Sequence, residues 1–271
     1  MSQSHPYGRP SVLVLFLWLL LAVISSMVGV GGGVFAVPLM YFVYRLPMRS
    51  AVATAVLIVF TLSSVATITE SLRADSALNW KLVGALVLGA LPGSFAGFRT
   101  AHHLPQRTLK ICFACILTFA AARTAIASPS LGEGLNGNLP PGALAYVIGT
   151  GFLAGFSSPL LGVGGGVLAI PLLLLLVPGI RYVEARACSV ATTIVSSGVA
   201  SYLYLNSREA KPKLALPFAL VAGVGAVIGV ALVHKTGGPG MARWLLVGLL
   251  AFLAGRFFLE LFRTRARSSA A

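Results

Sequence analysis

Acidic residues are scarce in this sequence: Asp and Glu together number 6 among 271 residues, and charged residues of all kinds make up 10%. A soluble domain carries about 25% charged residues, which keep its surface in contact with water. Hydrophobic residues make up 57% of the chain, and apolar stretches of roughly 17–25 residues, long enough to cross a bilayer, recur from end to end. The composition therefore excludes a soluble globular protein and predicts an all-α polytopic membrane protein.

Side chains that perform catalysis or bind metals are also few, with 4 His and 3 Cys. The acidic residues lie in or beside the connections between apolar stretches, and three of the histidines flank connections too. A hydrolase needs a nucleophile beside a basic group, and a metal site needs clustered ligands. We therefore expect no enzymatic activity, no metal, no cofactor and no relay of buried acids.

The net charge of +14 comes from basic residues in short clusters between the apolar stretches. No basic domain and no aromatic stacking platform accompanies them, so nucleic acid is not an expected partner. Such clusters anchor loops at anionic lipid and set the orientation of a membrane protein. The expected partners are the lipid bilayer and a small-anion substrate. The pattern does not specify an oligomeric state.

Ten apolar segments follow one another along the chain. Two of them, 34–44 and 167–178, are too short to cross a bilayer as a helix, and each follows a glycine cluster. We expect these two to be broken or re-entrant helices. The first segment has no cleavage-site pattern after it and is interpreted as an uncleaved span. The ten segments are 12–28, 34–44, 51–69, 80–98, 108–127, 141–159, 167–178, 185–205, 214–233 and 242–262.

The two halves of the chain are a repeat. Residues 29–39 match residues 162–172 at nine of eleven positions, with an offset of 133, and residues 117–123 match 250–256 at the same offset. We therefore divide the single membrane domain into a first repeat (1–128), an outside linker (129–140) and a second repeat (141–271).

The distribution of Lys and Arg predicts the orientation. With the N-terminus inside, the inside connections hold twelve basic residues and the outside connections hold six, so both termini are expected in the cytoplasm. Five segments in each half then make the second repeat inverted relative to the first. Inverted repeats are typical of secondary transporters.

The two glycine clusters, Gly29–Gly33 and Gly162–Gly166, are the strongest functional pattern. Irregular backbone at membrane depth is tolerated only where protein or water satisfies its polar groups. Because inverted repeats place equivalent points at mirrored depths, we expect the two clusters to meet near the bilayer centre. Their backbone N–H groups, at the start of two helices, would then form an anion site. The alternative is close helix packing through small residues. Pro38 and Pro171 are expected to end or kink the short helices.

Further polar side chains are candidates for substrate binding. Arg123 and Arg256 are repeat mates inside apolar segments and could grip an oxyanion, or snorkel toward lipid headgroups. Several hydroxyls flank the clusters and could donate to a substrate or bond to their own helix. Small residues in the fourth and ninth segments are expected to pack helices closely. The hydroxyls are Ser25, Ser26, Ser157, Ser158, Thr54 and Thr192, and the packing residues are Gly93, Gly97, Gly225 and Gly229.

The motif G-V-G-G-G-x-x-x-x-P-L, present twice in a chain of this length, resembles the TauE/SafE sulfite exporter family, also called the 4-toluene sulfonate uptake permeases. The resemblance covers the whole chain. It implies transport of sulfite, sulfonates or related organosulfur anions across the bacterial inner membrane. The residues that carry it are Gly29, Gly31, Gly32, Gly33, Pro38 and Leu39, with Gly162, Gly164, Gly165, Gly166, Pro171 and Leu172.

The sequence therefore predicts a secondary transporter of small anions, working by alternating access of two inverted repeats in the bacterial inner membrane. Two alternatives stay open at this stage. One is an anion channel, and the other is an intramembrane enzyme or assembly protein. The coupling ion and the direction of transport are not specified by the pattern.

Overall fold

The computed structural model describes residues 10–105 and 142–235 continuously, together with scattered positions in between and beyond. Within the described ranges the chain is helical and contains no strand, which confirms the predicted all-α fold. The scattered positions are 108, 111, 112, 114, 115, 118, 119, 121, 122, 125, 135, 244, 247, 248, 251, 252 and 255. The linker at 129–140 and the segment 242–262 therefore lie mostly outside the described residues, and half of the segment 108–127 does.

The other eight predicted segments correspond to eight described helices. Five of these helices, α3, α4, α5, α7 and α8, are long and apolar enough to cross a membrane. The bounds are α1 Val12–Val28, α2 Gly33–Pro38, α3 Met48–Ser71, α4 Trp80–His103, α5 Ala143–Leu161, α6 Gly166–Leu176, α7 Tyr182–Asn206 and α8 Pro212–Lys235.

Glycine and proline determine where the short helices begin and end. Gly29 ends α1 and Gly162 ends α5, both with positive φ angles of 85° and 72° that favour glycine. Pro38 is the last α-helical residue of α2, which continues as a π-helical turn over Leu39–Val43. Pro171, in contrast, does not end α6, which runs on to Leu176. Each glycine cluster therefore separates a longer helix from a short one.

The repeat seen in the sequence is also a repeat of helices and of their contacts. At an offset near 133, α1 corresponds to α5, α2 to α6, α3 to α7 and α4 to α8. The helix α4 packs on α5, and their mates α8 and α1 pack on each other in the same way. Likewise α3 packs on α8, and their mates α7 and α4 pack on each other. The mates α3 and α7 pack on each other. This exchange of partners is the contact pattern of a pseudo-two-fold arrangement.

The mates α3 and α7 run in opposite directions. Glu70, in the last turn of α3, pairs with Arg186 near the start of α7. At the other end, the backbone N–H of Lys211, which follows α7, donates to Thr54 near the start of α3 over 3.2 Å. Antiparallel mates are what an inverted repeat produces.

Glycines allow two helix pairs to approach closely. Methyl groups added at Gly93 and Gly97 of α4 would overlap the backbone of α5 at Phe152 and Phe156. Their mates Gly225 and Gly229 on α8 lie against α1, where an added methyl would approach Ala22, Val23, Ser26 and Met27. Small residues therefore pack the same helix pair in both repeats.

Removing a hydrogen bond that joins α1 to α8 should lower stability. The buried Trp18 Nε1–H donates to the carbonyl of Phe218 over 2.8 Å. Trp18→Phe removes this donor, and we expect a loss of about 1 kcal/mol in the free energy of unfolding. Denaturant titration of the purified protein in detergent measures it. The control Trp80→Phe changes an exposed side chain and should leave stability unchanged. An equal loss in both variants would contradict the role of this bond.

Candidate functional site

The two glycine clusters meet in the structure, as the repeat predicts. Gly33 lies against the backbone of Gly162 and Val163, so close that a methyl group added to it would overlap both. Gly166 lies against Gly29, where an added methyl would be 2.8 Å from the carbonyl oxygen. Gly166 is the repeat mate of Gly33, and Gly162 is the repeat mate of Gly29, both at the offset of 133. The two contacts are therefore counterparts of each other. We call this contact between residues 29–33 and 162–166 the glycine crossing, or the crossing. Its contacts follow the pseudo-two-fold relation of the repeats.

The crossing lies halfway along the two central helices. Methyl groups added at Gly31 and at its mate Gly164 would lie 3.2 Å and 2.7 Å from the same atom, Thr193 Cγ2 in the middle of α7. An added methyl at Gly164 would also lie 2.5 Å from Val59 Cγ1 in the middle of α3. Both glycines have positive φ angles, 79° and 67°. Conformation and space thus both require glycine here.

Some backbone donors of the first cluster have no bond to any described residue. The amides of Gly29 and Val30 donate to the carbonyl of Ser25, and those of Phe35 and Ala36 donate to the carbonyl of Gly32. The amides of the three glycines at 31–33 make no hydrogen bond within the described ranges. Buried amides normally have a partner, so these three N–H groups could donate to a bound anion.

Buried hydroxyls add further donors. Ser25 and its repeat mate Ser158 are buried, and neither Oγ has a hydrogen-bond partner in the part of the chain that the structure describes. The same is true of Ser63 on α3, whose Oγ would lie 3.5 Å from a methyl group added at Gly31. Sequence analysis did not select Ser63. Its spacing with Thr67 and Glu70, at i, i+4 and i+7, marks a polar stripe on α3 that could have identified it.

The other candidate hydroxyls already donate their protons to backbone carbonyls. Ser26 donates to Ala226 on α8 over 3.1 Å, so it joins two helices. The remaining three bond within their own helices, the alternative considered from the sequence. These are Ser157 to Ala154 over 2.9 Å, Thr54 to Ser50 over 2.6 Å and Thr192 to Cys188 over 2.8 Å. The structure thus separates Ser25 and Ser158 from the other four candidates. Arg123 and Arg256 lie outside the described residues.

Glu70 and Arg186 correct the sequence analysis. By sequence, Glu70 lies beside a connection and Arg186 counts among the outside connections, and no relay of buried acids is expected. In the structure Glu70 lies in the last turn of α3 and Arg186 near the start of α7, and they are 2% and 1% exposed. Hydropathy places the end of a segment at a charged residue, but an opposite charge on another helix allows both to be buried.

The Arg186 guanidinium connects this ion pair to the first glycine cluster. Its Nη2 donates to Glu70 Oε2 over 2.5 Å, and its Nη1 donates to the carbonyl of Ser26 over 3.2 Å. The side-chain stem lies directly against Gly29, where an added methyl would overlap it. The Nε atom is buried without a partner among the described residues. Arg186 therefore has a remaining donor close to the crossing.

His234 at the end of α8 extends the network toward the surface. Its Nε2 lies 3.1 Å from Glu70 Oε1, and its Nδ1 lies 3.0 Å from Asp75 Oδ2 in the loop after α3. The Asp75 side chain is 57% exposed and pairs with Arg73, whose hydrogen bond lowers the pKa of the Asp75 carboxyl. Over the described residues, no group of three or more His, Cys, Asp or Glu side chains is arranged to hold a metal ion.

Comparison with known proteins agrees with the resemblance seen in the motif. Residues 2–124 and 147–271 match the family model described as sulfite exporter TauE/SafE. A protein named probable membrane transporter protein, from Methanocaldococcus jannaschii, is 28% identical over 210 residues, which cover 72% of this chain and 73% of that protein. The match to the probable membrane transporter protein MamO of Paramagnetospirillum magneticum is 30% identical over 105 residues, 36% of this chain and 16% of MamO. No solved structure matches this chain.

Proposed function

Because this chain belongs to the TauE/SafE sulfite exporter family, it is a membrane transporter, and we propose that it moves small organosulfur anions such as sulfite or sulfonates by alternating access. The observation that carries this proposal is the crossing of the two glycine clusters halfway along α3 and α7. The amides at 31–33 and the hydroxyls of Ser25, Ser63 and Ser158 provide donors there. A site made of donors suits an oxyanion.

The arrangement of the repeats supports the mechanism. Antiparallel mates related by a pseudo-two-fold axis in the membrane plane would place the crossing near the bilayer midplane, open in turn to each side. The closely packed pairs α4–α5 and α8–α1 would then act as the surfaces on which one repeat moves against the other. The roles of Arg123 and Arg256 in anion recognition remain predictions.

Orientation in the bacterial inner membrane is part of the proposal. The buried Arg186 is not a loop residue, so the count of basic residues in outside connections falls from six to five, against twelve inside. The excess on the inside grows, and both termini are proposed to be cytoplasmic.

Binding and counterflow test the proposed function. A thermal-shift screen of the purified protein against sulfite, thiosulfate, sulfoacetate, taurine and small carboxylates selects the anion class. Counterflow of the radiolabelled anion into preloaded proteoliposomes should then saturate. Continuous conductance without counterflow would instead indicate a channel. If only the small carboxylates raise the melting temperature of the protein, the proposed organosulfur substrate is wrong.

Removing the unpartnered hydroxyls should weaken anion binding. We expect Ser25→Ala and Ser158→Ala each to raise the half-saturating anion concentration about 5–10-fold, since one hydrogen bond to a charged group contributes roughly 1.5 kcal/mol or somewhat less in a shared site. Ser64→Ala is the matched control, because the Ser64 hydroxyl bonds to the carbonyl of Phe60 in its own helix. Unchanged half-saturation in both site variants would exclude these hydroxyls from the site.

A further inference from the structure

The contacts of His234 require a shared proton. An ionised carboxylate only accepts hydrogen bonds, and a neutral imidazole carries one N–H. Both ring nitrogens of His234 lie within about 3 Å of carboxylate oxygens, Nε2 at 3.1 Å from Glu70 and Nδ1 at 3.0 Å from Asp75. Two hydrogen bonds at these positions need one proton more than a neutral ring and two ionised carboxylates carry. The three side chains together therefore form a proton-binding site.

This site leads from the surface to the glycine crossing. Asp75 is largely exposed, the His234 ring is 9% exposed, and Glu70 and Arg186 are fully buried. Glu70 lies between His234 and Arg186, and Arg186 contacts Gly29. Arg186 on α7 and His234 on α8 contact Glu70 directly, and α1 has no charged residue. The other titratable groups nearby are Arg73 and Asp75 in the loop after α3, and Glu184 and Cys188, each two residues from Arg186 on α7.

Among the described residues, the opposite end of the bundle has no buried Arg–Glu pair like Arg186–Glu70; there Arg49 donates to the carbonyls of His102 and Leu104. His102, which corresponds to His234 at an offset of 132, pairs with Glu209 over 3.3 Å in the matching loop. The carbonyl of Pro159, the mate of Ser26, accepts a hydrogen bond from Tyr204 instead of from an arginine. Helix packing is alike in both repeats. Packing alone therefore does not explain why Glu70 and Arg186 are buried at one end of the bundle.

We propose that Asp75, His234 and Glu70 form a proton relay, and that Glu70 and the transported anion compete for the Arg186 guanidinium. A proton enters at the Asp75 carboxylate, binds His234 at Nδ1, leaves from Nε2 and binds Glu70 Oε1. When the crossing opens to the other side and the anion leaves, Glu70 releases the proton to water there and pairs with Arg186 again. Protonated Glu70 is neutral and releases Arg186, which always keeps its charge, to donate to the anion at the crossing. Proton binding and anion binding thus favour each other. This inference rests on the proposed function and identifies the proton as its coupling ion.

Transport in proteoliposomes tests the relay with thiosulfate and benzenesulfonate, which stay fully ionised over the neutral and mildly acidic range. The membrane potential is held at zero with K⁺ and valinomycin. We expect the half-saturating concentration in wild-type counterflow to fall as pH falls, by up to about tenfold per unit for one linked proton. A gradient of one pH unit should support up to about tenfold accumulation.

Three variants separate a relay from a structural role. His234→Gln should abolish gradient-driven accumulation and the proton flux seen with a trapped pH dye. Glu70→Gln should give counterflow whose half-saturation no longer depends on pH. His102→Gln, the matched control at the other end, should behave as wild type. If the network only holds helices together, His234→Gln will lower thermal stability and keep the pH dependence, which overturns the relay.

Two further outcomes are decisive. Wild-type counterflow that is independent of pH, with no accumulation on a gradient of either sign, would overturn the relay and leave the proposed function standing. Absence of counterflow with both anions and with the whole thermal-shift panel would overturn the proposed function and the relay with it.

Discussion

Replacing Gly33 with alanine is expected to abolish transport. The added methyl would overlap the carbonyl of Gly162 and the backbone of Val163, and backbone cannot move aside as the end of a flexible side chain can. Overpacking of this kind costs typically 1–3 kcal/mol and at times more, and here it would force the two clusters apart. We expect counterflow to fall at least about 100-fold, the factor that corresponds to roughly 2.7 kcal/mol.

A variant at the repeat mate Gly166 and a control variant at Gly84 show whether the loss of transport is specific to the crossing. Gly166→Ala should have the same effect through its contact with Gly29. Gly84→Ala on α4 meets nothing within 4 Å and should leave transport unchanged, with stability equal or slightly raised because alanine favours helix. Size-exclusion profiles show whether each variant folds. A folded Gly33→Ala protein with wild-type counterflow would contradict the account of the crossing.

Replacing either member of the buried Glu70–Arg186 ion pair should destabilise the protein, and the loss should be larger when Glu70 is replaced. Glu70→Leu leaves Arg186 buried without its carboxylate, and because arginine cannot give up its charge we expect a loss of about 3–5 kcal/mol. Arg186→Met should cost less, because Glu70 can take up a proton and keep its contact with His234.

The double variant tests whether the two side chains act as a pair. Glu70→Leu with Arg186→Met removes both charges, so it should be more stable than Glu70→Leu alone. Denaturant titration in detergent provides the comparison, with the partly exposed pair His102–Glu209 mutated in the same way as a control that should change stability by less than about 1 kcal/mol. Additive losses at Glu70 and Arg186 would contradict their pairing.

The sequence was sufficient for those features that depend on local pattern and on the bilayer. The length of the apolar stretches gave the helices, and the offset of 133 gave the mates and the meeting of Gly29–Gly33 with Gly162–Gly166. Close packing at Gly93 and Gly225 also followed from residue size.

Features that depend on partners distant in the chain were missed. Glu70 and Arg186 are 116 residues apart, and hydropathy scores each alone as the end of a segment. Only the packing of α3 on α7 shows that each is buried by the other. Likewise, composition treats Ser25 and Thr54 as equal candidates, but whether a hydroxyl is available depends on the carbonyl beside it. Ser63 could have been found from its spacing with Glu70.

The central claim is that a small organosulfur anion binds where the two glycine clusters cross. A crystal structure of the protein with 4-bromobenzenesulfonate tests it most directly, because the anomalous signal of bromine distinguishes the anion from water and lipid. The account predicts one bromine peak beside the crossing, with sulfonate oxygens within hydrogen-bond distance of the Ser25 hydroxyl and the amides at 31–33. An anion found only among the basic loop residues, with no bromine peak beside the crossing, would contradict it.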